Sequence, residues 1–70
     1  MTDKEFLEAV GMELRIARIR QKLSIKQVSE KTGLSVDCIG QVERGQTDAH
    51  IITYKRIADA LGVEMTTIMQ

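Results

Sequence analysis

The chain has 70 residues, with ten basic against ten acidic side chains and a formal net charge of zero. One domain near the lower size limit for a self-sufficient core is expected. Disulfides within the chain and a zinc site are excluded as its support, because Cys38 is the only cysteine and His50 the only histidine. No apolar run exceeds two residues, so no segment can span a membrane. The acidic start MTDKEFLEAV is unlike a signal peptide, and the unpaired thiol suits a reducing, cytoplasmic setting.

In chain order, Thr2 and Glu5 have the T-x-x-E spacing of a capping box, which places the first helix from Asp3 to about Lys22. Phe6, Val10, Leu14 and Ala17 recur at helical spacing and form its inner face, while Met12, Ile16 and Ile19 form a second apolar stripe. Gly11 either lets another helix approach closely or marks a break. Ser24 caps a second helix, Ile25 to Thr32, with Gln27 completing another capping box and Gly33 ending it. Ser35 caps a third, Val36 to Arg44, which Gly45 terminates. QTDAH is a loop. A fourth helix runs from about Ile51 to Leu61, turning Ile51, Tyr54, Ile57, Ala58 and Leu61 inward, and Gly62 stops it. Met65, Ile68 and Met69 suggest a fifth, short helix. Strand signals are absent, and an all-α fold follows.

Charge is unevenly spread. Residues 1 to 13 hold Lys4 against Asp3, Glu5, Glu8 and Glu13, whereas residues 15 to 26 hold Arg15, Arg18, Arg20, Lys22 and Lys26 with no acid. A neutral domain polarised in this way can present one basic face.

The segment LSIKQVSEKTGLSVDCIGQVERG reads as two short helices around a glycine turn, the pattern of a helix-turn-helix. Counting from Ile25, the fifth position is Ser29, small enough for close helix crossing, and the ninth is Gly33 at the turn. Ile39 and Val42 are expected to point inward with Val28 and Leu34, leaving the other edge of the third helix in solvent. Such an edge can enter a DNA major groove.

With VGMELRIARIRQKLS, KTGLS, VERG and IADALGV in this order, the stretch from Val10 to Met69 resembles the Cro/C1-type helix-turn-helix family. This family of phage and bacterial regulators is also called XRE or lambda-repressor-like. The resemblance implies a compact five-helix all-α domain spanning residues 1–70. It implies a dimeric, sequence-specific DNA-binding repressor that is not an enzyme and needs no cofactor. Its expected partners are double-stranded DNA, a second copy of the chain and a regulatory protein, with no membrane and no small-molecule ligand.

Residue by residue, the resemblance implies an ion pair between Arg18 and Glu43. Base readout falls on Val36, Asp37, Gly40 and Gln41. Gln41 is the strongest of these, because a carboxamide can bond adenine N6 and N7 together. Asp37 has a second reading, stabilisation of the positive end of its own helix. Phosphate contacts fall on Ser24, Lys26, Ser35, Arg44, Gln46 and Thr47. Ile25 stands where the family usually has glutamine, Gln46 where lysine is common, and Asp48 and Ala49 alter the loop. Met65 and Met69 are expected at a two-fold interface with Ile68 turned inward. The Met12, Ile16 and Ile19 stripe is a rival surface for a dimer or another protein.

The remaining polar residues have plainer readings. His50 is expected on the surface, Cys38 beside the core without a redox role, and Tyr54 on the inner face of the fourth helix with its hydroxyl near solvent. No catalytic arrangement or metal-ligand cluster is visible in the sequence. A protein-interaction module with the same fold is the alternative function, motivated by the zero net charge, Ile25, Gln46, Asp37 and the second apolar stripe.

Overall fold

The computed structural model describes residues 1–64. These form four helices: α1 (Asp3–Arg20), α2 (Ile25–Thr32), α3 (Val36–Glu43) and α4 (Ile51–Leu61). No strand occurs among the described residues. The architecture is therefore all-helical, with four helices here rather than five. The last helix expected around Met65, Ile68 and Met69 lies outside the described residues.

Local chemistry sets the helix starts. Thr2 accepts a hydrogen bond from the Glu5 N–H at 3.1 Å, while the Glu5 carboxylate accepts from the Thr2 N–H at 3.0 Å. Ser24 and Gln27 repeat the arrangement at α2, with distances of 3.0 and 2.7 Å. Ser35 caps α3 by accepting from the Cys38 N–H. Each cap satisfies amide donors that a helix leaves unpaired at its start. His50 is the N-cap of α4 but makes no side-chain cap bond.

Two ends differ from the sequence expectation. The spacing predicts α1 to about Lys22, but the helix stops at Arg20 and Lys22 takes φ +59°. The Lys22 N–H donates to the Ile19 carbonyl and the Leu23 N–H to the Arg18 carbonyl, a Schellman closure made with lysine in the left-handed position. At α3, Arg44 is the C-cap rather than the last helical residue, and Gly45 takes the left-handed conformation.

The core comprises Val10, Leu14, Val28, Ile39, Val42, Tyr54, Ile57, Ala58 and Leu61, drawn from all four helices. Phe6, Ala17 and Leu34 pack against it while remaining partly exposed. The inner face of α4 holds Tyr54, Ile57, Ala58 and Leu61, but Ile51 is 62% exposed. It is the first residue of α4 and lies only about 20° around the axis from Ala58, so its exposure comes from its place at the helix end and not from the direction of its face. Gly11 does not break α1. It lies buried against α3, where a β-carbon would come within 2.6 Å of the Glu43 carbonyl oxygen and still closer to that of Val42. Close crossing is thus its role.

Candidate nucleic-acid interface

The turn between α2 and α3 is built from small polar side chains as well as Gly33. Gly33 ends α2 at φ +76°, a conformation that a β-carbon disfavours. The Ser29 hydroxyl donates to the Leu34 carbonyl across the turn. Thr32 Oγ1 donates to the Val28 carbonyl at 2.8 Å and accepts from the Leu34 N–H at 3.1 Å. Ser29 is therefore more than a small residue at the crossing: its hydroxyl satisfies a carbonyl of the turn.

This turn and the core fix which side of α3 is available. Ile39 and Val42 are buried with Val28, and Leu34 packs against them. Glu43 is 7% exposed and faces α1. On the other side, Val36, Asp37, Gln41 and Arg44 are exposed. Asp37 lies in the first turn of α3, where the helix dipole favours its negative charge whatever else it contacts.

Arg18 holds the unit to α1. Its Nε donates to Glu43 Oε2 at 2.7 Å, its Nη2 to Glu43 Oε1 at 3.0 Å, and its Nη1 to the Leu23 carbonyl at 2.8 Å. The paired fork is the strong form of a guanidinium–carboxylate contact. Hydrogen bonding to Glu43 pushes the Arg18 pKa above its already high value; burial opposes this and the charge attraction adds to it. Arg18 is consequently committed to structure.

Gly40 departs from the expected readout position. It is buried, and the Arg44 guanidinium lies over it, with Nη1 only 3.0 Å from where a β-carbon would stand. The cause is the four-residue helical spacing, which brings Arg44 back over the preceding turn. Its Nε also donates to Gln46 Oε1 at 2.8 Å, so two residues expected on phosphates are joined to each other. Gly40 presents its backbone only if Arg44 moves.

The remaining expected contact residues sit around α3. Ser24, Lys26 and Ser35 are exposed at the starts of α2 and α3, and Gln46 is exposed in the loop. Thr47 is half-buried, and its carbonyl accepts a hydrogen bond from the Tyr54 hydroxyl at 3.3 Å. Ile25 is half-buried and packs on the core, which accounts for an apolar residue there. His50 is exposed and Cys38 half-buried. The expected interface residues Met65 and Met69 lie outside the described residues.

The basic run from Arg15 to Lys26 does not make one face. Arg18 is engaged by Glu43, and Arg15 and Arg20, five residues apart on α1, diverge by about 140° around its axis. What replaces the continuous face is a cleft lined by Arg15, Arg18, Ile25, Gly40, Glu43 and Arg44. Arg15 was legible in the sequence only as one charge in that run. Its place beside Arg44 depends on how α1 crosses α3. The cleft gives two exposed guanidinium groups beside the first residue of α2, an arrangement suited to phosphate. Among the described residues there is no group of carboxylates, cysteines and histidines that could hold a metal ion.

Comparison with known proteins accords with this geometry. Residues 14–68 match the helix-turn-helix family model HTH_3. The chain is 30% identical over 60 residues to the immunity repressor protein of Bacillus phage phi105, covering 86% of this chain and 42% of that protein. It is 34% identical over 58 residues to an HTH-type transcriptional regulator of Sinorhizobium fredii, itself uncharacterised, covering 83% and 30% respectively. An HTH_3 family transcriptional regulator from Vibrio cholerae, known from a crystal structure, superposes with a TM-score of 0.86 at 30% identity over 96% of this chain and 38% of that one. The chain thus spans less than half the length of these relatives. On the family match and the geometry together, it belongs to the HTH_3 helix-turn-helix family, the Cro/C1-type (XRE) class of DNA-binding transcription regulators.

Proposed function

We propose that this domain regulates transcription by binding specific sites in double-stranded DNA, acting as a repressor. The observation that carries the reading is the two-sided α3, with Ile39, Val42 and Glu43 buried and Val36, Asp37, Gln41 and Arg44 exposed. In the groove, Gln41 reads adenine through its carboxamide and Val36 meets a thymine methyl. Asp37 accepts from cytosine N4 or serves only its helix. Gly40 contributes close backbone approach once Arg44 swings onto a phosphate. The Ser24 and Ser35 hydroxyls, Lys26, Gln46 and Thr47 take the backbone phosphates, with Arg15 and Arg44 flanking Ile25 in place of the usual glutamine.

A homodimer meeting through Met65 and Met69 would set two copies of α3 in successive major grooves about 34 Å apart. Repression is then controlled by the concentration of the chain or by another protein. The test is selection of bound sites from a random duplex pool at fixed salt, repeated with Gln41→Ala. The expected result is a two-fold site whose preference relaxes at one base pair, by about 1–3 kcal/mol. Affinity should also fall as salt rises, with a slope set by the few cationic phosphate contacts. Unchanged preference removes Gln41 from base reading.

A second reading, an interaction module with little DNA affinity, is favoured by the half-exposed Met12 and Ile19 and by the zero net charge. Failure to retain random duplex DNA even at low salt would select it.

A further inference from the structure

The outward side of α1 is apolar where a helix at the surface is ordinarily polar. Leu14 is fully buried at the centre of the inner face. Met12 and Ile16 lie two residues to either side of it, and so nearly opposite on the helix. Met12 is 48% exposed and Ile19 is 52% exposed, while Ile16 between them is half-buried. Glu13 and Arg20 border the same stripe, both exposed, and neither forms an ion pair among the described residues.

The spacing of these groups is self-complementary. Met12 stands four residues before Ile16 and Ile19 three after it; Glu13 stands three before and Arg20 four after. Two α1 helices laid antiparallel about Ile16 therefore bring Ile16 against its copy. Met12 of one chain then falls against Ile19 of the other, and Glu13 against Arg20. A two-fold axis makes each contact twice, as an isologous interface requires. We infer that this face of α1 is a contact surface for a second copy of the chain, paired antiparallel about Ile16. It stands apart from both the α3 edge and the contact proposed for Met65 and Met69, and does not depend on the DNA-binding reading.

The helices overlap only from Met12 to Arg20, about 12 Å of each, so the contact belongs to the small, transient class of interfaces, below about 1,200 Å². The association is accordingly weak and salt-sensitive. Sedimentation equilibrium of the whole chain over a concentration series tests it, with far-UV circular dichroism and thermal melting to show that each variant is folded. Glu13→Arg and Arg20→Glu should each raise the dissociation constant of this contact by about tenfold or more, because each sets like charges opposite across the two-fold. The double variant E13R/R20E, or an equimolar mixture of the two single variants, should recover association close to that of the native chain. No pairing of Glu13 with Arg20 inside one copy accounts for that recovery, since seven residues separate them along α1. A chain that remains monomeric to millimolar concentration overturns the proposal. So does association that is indifferent to both single substitutions, which would assign the contact to another surface.

Discussion

At the scale of single residues, the side chains that look most alike do different work. Glu5 and Glu43 are both carboxylates near helix ends. Glu5 is fully exposed and closes a cap, and hydrogen bonding from the Thr2 backbone, then from its side chain, draws its pKa below the ordinary value of 4.5. A lowered folded-state value means that the cap contributes stability above the pH where an unfolded glutamate ionises, and loses it as pH falls through the lowered value. The Glu5 carboxyl, followed by NMR, should therefore titrate below 4.5 in the native chain and shift upward in Thr2→Ala. Equal midpoints in the two proteins would remove the Thr2 hydroxyl as a cause and leave the backbone N–H, which alanine keeps. Lys22 offers a prediction of the opposite sign. It holds φ +59° at a position where α3 and α4 close with Gly45 and Gly62. A left-handed non-glycine residue costs about 1–2 kcal/mol, part of which glycine returns in unfolded-chain entropy. Lys22→Gly should raise stability by about 0.5–1 kcal/mol in urea denaturation, with the midpoint moving and the slope unchanged.

Between elements, the decisive contact is the crossing of α1 over α3 at Gly11. A β-carbon there meets the backbone carbonyls of Val42 and Glu43, which no side-chain rotation can relieve. Gly11→Ala, a change that ordinarily strengthens a helix, should instead destabilise by about 1–3 kcal/mol through overpacking. Circular dichroism melting checks the sign, and a stabilised variant would mean that α1 does not approach α3 this closely. The crossing also decides what was legible in advance. The caps at Thr2, Ser24 and Ser35 and the turn at Gly33 follow from hydrogen bonds made within a few residues, so their sequence spacing carries them. The Lys22 closure is equally local, but a lysine does not mark a left-handed residue as a glycine does. Ile51 and the burial of Gly40 under Arg44 depend instead on where an element sits or on how a long side chain folds back. The same is true of the Gln21 side-chain amide, which donates to the Leu61 carbonyl forty residues away. Gly11 was readable as a choice between a break and an approach, and only the position of α3 resolves it.

For the whole molecule, the question is how a chain with no net charge meets a polyanion. Summed charge is a poor guide here because the acids and bases are sorted by position. Of the acids on α1, Asp3, Glu5, Glu8 and Glu13 all precede Leu14, whereas Arg15, Arg18 and Arg20 follow it. The fold spends Arg18 on Glu43 and gives Arg15 and Arg44 a shared cleft at the start of α2. The resemblance implies a structural Arg18 and a surface Arg44, whereas nothing in the sequence puts Arg15 beside Arg44. The DNA affinity proposed for this domain rests on few phosphate contacts, so its salt dependence should be shallower than that of a strongly basic repressor. Substituting Lys26 by alanine would reduce that slope by about one.

One consequence of the Arg18 contacts concerns time rather than stability. The same guanidinium grips the carbonyl just before α2 and the carboxylate at the end of α3, closing a span of 25 residues between Arg18 and Glu43. A segment tethered at both ends by one group opens as a unit, so the slowest-exchanging amides of α2 and α3 should share a single opening free energy in native-state hydrogen exchange. Arg18→Ala leaves Glu43 buried without its partner and should cost about 3 kcal/mol. It should also split that shared value, letting α2 open ahead of α3.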